Sequence, residues 1–283
     1  MLPQYLLPQH AASRFVKRLA LIEQPVIKSF LIRRFLTSYS INLEEAIDSD
    51  ASRYKNFNAF FTRQLKPGVR PVVAENHAAC CPADGLISQF GKIENGALIQ
   101  AKGRQFSANE LLAESTRKAN RYQSGSFATI YLAPHNYHRV HAPFAGEIIS
   151  ARYVPGKLFS VNQRTAATVD RLFARNERVL VELQTETFGR VMVVMVGALL
   201  VASVGLSFFD MESFIYAAPR REPVQLPLAT KPLSIEKAQE IGWFNMGSTV
   251  VLLFEDQGFT FSPNLTQGQT VKMGEALGNF RTP

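Results

Sequence analysis

Short apolar runs separated by glycine, proline and asparagine dominate the chain from Val72 onward. SFATIYLA, GEIISARYV, RVLVELQT and STVVLLFE are typical, and each has the length and composition of a β-strand. Before Val72 the apolar residues recur at helical spacing, as Phe15, Leu19 and Ile22 do, and Pro25 interrupts the pattern. The pattern predicts an α+β protein with a helical N-terminal region and a mostly β core.

Two capping signals indicate further helices. Asn42 precedes Glu45 by three residues in SINLEEAI, and Ser107 precedes Glu110 by three in SANELLAES. This is the spacing of a capping box, in which the first side chain and the glutamate satisfy each other's backbone amides. The stretch YKNFNAFFTRQL is expected to continue the helical region.

The first 40 residues hold much of the positive charge. The chain of 283 residues has a formal net charge of +8, and six basic residues face one acidic residue before position 41. Basic amphipathic helices of this kind suit an anionic bilayer surface, and they would equally suit an arm packed on its own domain. The sequence lacks RNA-module motifs and aromatic-basic repeats, so nucleic acid is not an expected partner.

The segment VMVVMVGALLVASVGLSFF, residues 191–209, contains no charge. Its 19 residues match the length of a transmembrane helix. Its six valines and two glycines favour two buried strands joined near residues 197–202 instead. A membrane span is the alternative, and it would place the candidate site residues on opposite sides of the bilayer.

Two further features bear on the cellular compartment. Cys80 and Cys81 are adjacent, where a mutual disulfide would be strained, so a reducing compartment is expected. The first residues, MLPQYLLPQH, lack the charged and apolar regions of a signal peptide.

The end of the chain, LTQGQTVKMGEALGNF, resembles the hairpin of biotinyl and lipoyl carrier barrels, and HAPFAGEII resembles their opening strand. The β core is therefore expected to resemble a barrel-sandwich hybrid. A carrier also needs an attachment lysine at an exposed hairpin tip, and no lysine here has the expected neighbours. A carrier-type binding module is the non-enzymatic alternative.

Three turn-like stretches carry side chains suited to nucleophilic catalysis. Asp84 precedes a strand in CPADGLIS, His138 and His141 lie in NYHRVHAPF, and Ser248 follows Gly247 directly before an apolar strand. In a catalytic triad an aspartate orients a histidine, which takes a proton from the nucleophilic serine. Asp84, His141 and Ser248 are therefore candidate catalytic residues.

Each of these residues also has an alternative explanation. Asp84 would fit an Asx-turn, and histidines three residues apart could begin a metal site. The sequence has no second cluster with metal-ligand spacing, so no metal is expected. A hydrolase that keeps Ser248 intact is the alternative enzyme, although the G-x-S-x-G elbow of α/β-hydrolases is missing around this serine.

Five motifs resemble the phosphatidylserine decarboxylase family in order and spacing: FFTRQLKPGVRPV, PADG, YHRVHAPF, LFARNERV and GST. The similarity extends from about residue 50 to the end of the chain. The family usually has leucine before Gly-Ser-Thr, whereas this chain has Met246, a change that preserves size and polarity.

The resemblance implies that the chain cleaves itself between Gly247 and Ser248. His141 would serve as the base and Asp84 as its orienting partner. Ser248 would become a covalent pyruvoyl group, the cofactor that acts as electron sink when CO₂ leaves. The resemblance also makes His138 the candidate proton donor at the substrate carbon.

The implied reaction converts phosphatidylserine to phosphatidylethanolamine in phospholipid biosynthesis. Residues 1–65 are assigned to peripheral association with the cytoplasmic side of the cell membrane, and residues 66–283 to the decarboxylase domain. Expected partners are phosphatidylserine, an anionic membrane surface, the two cleavage products 1–247 and 248–283 held together, and a second copy in a homodimer. Arg63 or Arg139 would fit the lipid headgroup, and each would equally fit a structural ion pair.

Overall fold

A computed structural model describes residues 4, 8–114, 119–199, 203–216, 220–228, 233–245 and 248–281. Strands form most of the regular structure in these ranges, and the two longest helices come first in the chain. The protein is therefore α+β, as the hydrophobic pattern predicts.

The helices shorten sharply after residue 38. They are α1 (Gln9–Ala20), α2 (Pro25–Ser38), α3 (Phe57–Phe61), α4 (Ala108–Leu112), α5 (Gln163–Ala166) and α6 (Leu172–Arg175), with 3₁₀ turns at Leu43–Glu45, Ala51–Arg53 and Ala119–Tyr122 and a π turn at Glu212–Tyr216. Pro25 occupies the first turn of α2, where its missing N–H leaves no helical bond unmade. The predicted capping box of Ser107 and Glu110 is confirmed at α4.

Two of the predicted helical stretches are shorter in the structure than the sequence predicts. SINLEEAI forms only a 3₁₀ turn, because the Asn42 side chain caps Glu44 while the Glu45 carboxylate pairs with Arg70 at 2.6 Å. YKNFNAFFTRQL is helical only over α3, since the helix ends at Thr62.

All strand pairs within the described ranges are antiparallel. The strands are β1 (Ala78–Cys80), β2 (Gly85–Lys92), β3 (Ala97–Ala101), β4 (Arg104–Ser107), β5 (Ser126–Leu132), β6 (Arg139–His141), β7 (Gly146–Val154), β8 (Arg178–Gln184), β9 (Arg190–Val196), β10 (Val204–Leu206), β11 (Val224–Gln225), β12 (Leu233–Ile235), β13 (Glu240–Phe244), β14 (Ser248–Phe254), β15 (Phe259–Phe261), β16 (Thr270–Val271) and β17 (Ala276–Phe280).

One large sheet organises the β core. Its order is β11-β7-β8-β9-β14-β5-β2-β16, with β12 also paired to β7. Val250 and Leu252 face one apolar core, and Val251 and Leu253 face another on the opposite side. Every residue of β14 is consequently buried, which explains why this strand reads as a continuous apolar run.

Smaller sheets flank the large one, in the orders β1-β17-β15 and β10-β13-β6, together with the β3-β4 hairpin. The charge-free segment forms β9 and β10, so the prediction of two buried strands is confirmed. The predicted C-terminal hairpin is wrong, because β16 pairs with β2 while β17 pairs with β1 and β15.

The N-terminal region has its own aromatic core, which includes Tyr54, Phe57, Phe60 and Phe61. It also packs on the β core, where the Gln9 side chain accepts a hydrogen bond from the Leu158 amide at 2.8 Å. Within the described ranges, none of the helices combines the length and the apolar character that crossing a bilayer requires.

Candidate active site

Ser248 begins the central strand β14 and is fully buried. It pairs with Leu132 of β5, and the next residue, Thr249, pairs with Val196 of β9. The Ser248 Oγ finds no hydrogen-bond partner among the described residues. A buried hydroxyl without a partner is costly, and such groups concentrate at sites of chemistry. Met246 and Gly247, on the other side of the expected cleavage point, lie outside the described residues.

His138 lies in the connection from β5 to β6. β5 neighbours β14, and β6 neighbours β13. The Phe244 amide donates to the His138 carbonyl at 2.9 Å, which ties the connection that contains His138 to the end of β13.

The His138 ring is fully buried and stacks on Phe61 at 4.1 Å between ring centroids. Its Nε2 lies 3.3 Å from the Pro134 carbonyl, which can only accept, so Nε2 carries the proton. Its Nδ1 is then an acceptor, and it has no partner in the described part of the chain. Burial lowers the pKa of His138 to about 3, so the ring is neutral at neutral pH.

The His141 ring is fixed at both nitrogens. Nδ1 lies 2.7 Å from the Ala238 carbonyl and therefore carries the proton, while Nε2 lies 3.0 Å from the Tyr137 hydroxyl and accepts from it. Burial lowers the pKa of His141 below its ordinary value, and the Glu240 carboxylate opposes that shift more weakly. The His141 ring is thus a neutral base with its lone pair on Nε2.

The Asp84 carboxylate is buried and already paired. Arg70 donates to it from Nε at 3.0 Å and from Nη2 at 2.6 Å, and the Met273 amide donates at 2.9 Å. The same Arg70 Nη2 reaches Glu45 at 2.6 Å. Asp84 therefore connects the β core to the N-terminal region through one guanidinium.

Asp84 and His141 belong to adjoining segments, since the His141 amide donates to the Pro82 carbonyl at 2.8 Å. The hydrogen-bond chain expected for a triad is nevertheless not formed among the described residues. Asp84 bonds to Arg70, His141 bonds to Tyr137 and Ala238, and the Ser248 hydroxyl bonds to none of them. The catalytic roles given to these residues stay predictions.

Sequence reasoning missed Arg70 and Tyr137, which hold Asp84 and His141. Both lie inside the motifs that carry the family resemblance, Arg70 in FFTRQLKPGVRPV and Tyr137 in YHRVHAPF. Their position in those motifs was the available signal, but only the fold shows which side chains they hold.

The N-terminal region reaches the site through α3. Besides the Phe61 stack on His138, the Asn58 side chain donates to Asn245 at 3.1 Å. Arg139 Nε donates to the Thr62 carbonyl at 2.9 Å. Contacts from this short helix and its C-cap residue therefore hold His138, Arg139 and Asn245.

The phosphatidylserine decarboxylase family profile matches residues 57–279, which include every candidate catalytic residue. The chain belongs to the phosphatidylserine decarboxylase family. A second profile, described as PSD, matches residues 1–40. The chain is 46% identical over 287 residues to the phosphatidylserine decarboxylase proenzyme of Ectopseudomonas mendocina, covering 99% of this chain and 97% of that protein.

Proenzymes of the same name from other bacteria are similarly related. The one from Alcanivorax borkumensis is 44% identical, covering 98% of this chain and 94% of its own length. The one from Methylococcus capsulatus is 44% identical, covering 98% of this chain and 95% of its own length. This phosphatidylserine decarboxylase family member is thus related to those proenzymes along almost its whole length.

A cavity adjoins the segment before the cleavage point of this family member. It has a volume of about 510 Å³, and its lining includes Trp243 and Asn245 from the strand leading to Ser248, Asn58 from α3, and Phe208 and Phe209. Its wall combines aromatic surface with amide groups, which suits a ligand that has both apolar and polar parts.

The surroundings of Ser248 fit the conversion of this serine to a pyruvoyl group. The residue is sheltered from water, its hydroxyl has no hydrogen-bond partner among the described residues, and β14 holds its backbone between two strands. After cleavage the group would stand at the start of β14.

Proposed function

We propose that the protein is a self-cleaving, pyruvoyl-dependent phosphatidylserine decarboxylase that forms phosphatidylethanolamine and CO₂. The family membership and the names of the relatives support the reaction. The single structural observation that carries the site is the buried Ser248 hydroxyl, which has no hydrogen-bond partner among the described residues, at the start of a central strand.

Processing begins with the Ser248 hydroxyl. Its Oγ attacks the Gly247 carbonyl carbon, the peptide C–N bond breaks, and the acyl group moves to the serine oxygen while the nitrogen becomes a free amine. His141 takes the hydroxyl proton at Nε2, its lone-pair nitrogen, in exchange for the hydrogen bond from Tyr137. β-Elimination removes the Cα proton of residue 248 and releases the 1–247 chain as a carboxylate, leaving dehydroalanine. Its imine tautomer then takes up one water and loses ammonia, which leaves the pyruvoyl group on residue 248.

The pyruvoyl group supplies an electron sink for the bond that loses CO₂. His138 is proposed to transfer the proton that the substrate carbon receives after CO₂ has left, through its Nδ1, which has no partner among the described residues. Burial lowers the pKa of the ring to about 3, so this role requires the anionic substrate to be bound, since a nearby negative charge favours the protonated ring.

The cleavage products stay associated in this proposal. The 248–283 fragment contains β14, β15, β16 and β17. Within it, β14 pairs with β5 over seven residues and with β9 over six. Removing this strand would expose both apolar cores, which strongly favours the two-chain enzyme.

The N-terminal region is proposed to lie on the cytoplasmic surface of the cell membrane. Phe15, Val26 and Phe30 are 68%, 74% and 62% exposed, which is unusual for large apolar side chains. Exposed Arg14 and Arg33 lie in the same two helices. Apolar anchors with nearby cations are what an anionic bilayer binds. The homodimer, the barrel-sandwich core and the division at residues 65 and 66 also stay proposals.

Incubation of the purified protein with vesicles containing carboxyl-labelled phosphatidylserine tests the activity. We expect release of labelled CO₂, and we expect prior treatment with borohydride, which reduces the pyruvoyl carbonyl, to abolish it. A hydrolase with intact Ser248 or a carrier-type module would release no CO₂. Phosphatidylserine left unchanged by a folded, cleaved protein would contradict the proposed function.

A further inference from the structure

Arg63 carries a buried positive charge that forms no ion pair with a carboxylate within the described ranges, where Asp84 and Glu45 act on it only from a distance. Its side chain is 5% exposed. Nη2 donates to the His135 carbonyl at 3.3 Å, whereas Nε and Nη1 are buried without a hydrogen-bond partner. Since those two nitrogens carry most of the N–H bonds of a guanidinium, most of the donor capacity of Arg63 is unused.

Two neighbouring arginines, unlike Arg63, are each paired with carboxylates. Arg70 is paired with Asp84 and Glu45, and Arg139 donates to both carboxylate oxygens of Glu240 at 2.7 Å. These two charges are balanced by their own carboxylates. A buried charge left without such balance is strongly unfavourable, so Arg63 is expected to be retained for an anion that arrives from outside.

Arg63 lies next to the connection that contains His138. It follows α3, whose Phe61 stacks on His138, and its Nη2 bonds to the connection that contains His138. The positive charge of Arg63 also contributes to the lowered pKa of His138. Upstream of Arg63, α1 and α2 carry the exposed anchors proposed above to contact the bilayer.

We propose that Arg63 binds the phosphodiester of the phosphatidylserine headgroup, an inference that rests on the proposed decarboxylase function. The substrate offers two anions, a phosphodiester and a carboxylate. A guanidinium on the carboxylate would stabilise the ground state, because that charge disappears as CO₂ forms. The phosphodiester keeps its charge throughout the reaction, so binding it holds substrate and product without opposing the chemistry.

Binding of soluble short-chain lipids to the cleaved, borohydride-reduced enzyme separates the two anions, because the reduced enzyme does not convert phosphatidylserine to phosphatidylethanolamine. Short-chain phosphatidylserine carries both, and short-chain phosphatidylethanolamine carries the phosphodiester alone. We expect Arg63→Met to weaken binding of both lipids by a similar factor, about thirtyfold or more, as expected for loss of one partner of a buried charged contact. In turnover assays KM should rise while kcat changes little, because the contact is the same in ground and transition states.

The matched control is Arg53→Met, which removes the same charge from an exposed pair with Asp48 in the same region. Its lipid affinities should equal those of the parent.

Arg63→Lys, which keeps the charge with fewer donors, should bind both lipids about tenfold more weakly and provides the test if Arg63→Met does not fold. Weakened binding of phosphatidylserine alone, or unchanged binding of both lipids, would overturn the proposal. Both results presuppose a parent enzyme that releases CO₂, so they are distinct from failure of the proposed function.

Discussion

The Tyr137 hydroxyl lies 3.0 Å from Nε2 of His141, and the other ring nitrogen lies 2.7 Å from the Ala238 carbonyl. The carbonyl can only accept, so the tautomer of His141 is determined and Tyr137 must be the donor at Nε2. The nitrogen proposed to accept the Ser248 proton therefore carries a lone pair, to which Tyr137 of the same motif donates.

The pH dependence of self-cleavage should report this arrangement. His141 must be neutral to act as base, and burial lowers its pKa from 6.5, so cleavage of freshly translated chain should fall only below pH 6.5. Tyr137→Phe removes a hydrogen bond to the neutral ring, which raises the pKa of His141 and moves the acid limb upward. Cleavage rates measured over a range of pH give the acid limb of the parent and that of Tyr137→Phe.

Tyr122→Phe is the control, because it removes another buried tyrosine hydroxyl whose partner is Glu182 in a different part of the core. Its acid limb should coincide with that of the parent. An identical limb in Tyr137→Phe would show that the Tyr137 hydroxyl does not set the protonation of the base.

The two histidines should separate processing from turnover. We expect His141→Ala to remain uncleaved, and His138→Ala to cleave at least partly and then turn over poorly. Loss of a catalytic proton donor typically costs about 10² to 10⁴ in rate. CO₂ released per pyruvoyl group, with the 36-residue fragment quantified separately, gives both numbers. Normal turnover per pyruvoyl in His138→Ala would remove His138 from the mechanism, and full cleavage of His141→Ala would remove the triad assignment.

Arg70 should contribute to stability as well as to the site. Arg70→Met leaves the Asp84 carboxylate buried beside an apolar side chain, which should lower the free energy of unfolding by about 3–5 kcal/mol. Chemical denaturation in the uncleaved Ser248→Ala background measures the loss. Arg53→Met removes a 69% exposed member of a surface pair and should cost no more than about 1 kcal/mol. Equal effects of the two substitutions would contradict the structural role given to Arg70.

Membrane binding should depend on the exposed anchors of α1 and α2. Replacing Phe15, Val26 and Phe30 together with serine should reduce co-sedimentation with anionic vesicles, because the bilayer contact loses its apolar area. Added salt should weaken the remaining binding by screening the basic residues. Ile99→Ser, at an exposed apolar residue of β3, should bind like the parent. Undiminished binding of the triple variant would place the membrane contact elsewhere.

Sequence patterns predicted the positions of the strands better than they predicted which strands pair with each other. The runs that became β8, β9 and β14 were readable because a sheet buried on both faces requires uninterrupted apolar residues. The C-terminal hairpin was wrong because Thr270–Val271 and Ala276–Phe280 pair with strands nearly 200 residues earlier, Gly85–Lys92 and Ala78–Cys80, and local spacing does not encode such pairing.

At the candidate site, too, local sequence predicted the residues but not their contacts. Asp84, His138, His141 and Ser248 stood out as reactive residue types in turn-like contexts. The partner of each depends on long-range folding, such as the pairing of Asp84 with Arg70 or the stacking of His138 on Phe61. Hydrogen-bond assignments of this kind follow from the packed structure, so the spacing of residues could not supply them.

Intact-mass analysis of the purified protein tests the central claim most directly. Self-cleavage predicts a fragment of residues 1–247 and a fragment of residues 248–283 whose N-terminus is blocked as a pyruvoyl group. The Ser248→Ala variant should give one full-length chain, since its residue 248 has no hydroxyl to attack the Gly247 carbonyl. A single uncleaved chain from the parent protein that nevertheless decarboxylates phosphatidylserine, or the same two fragments from Ser248→Ala, would contradict the account.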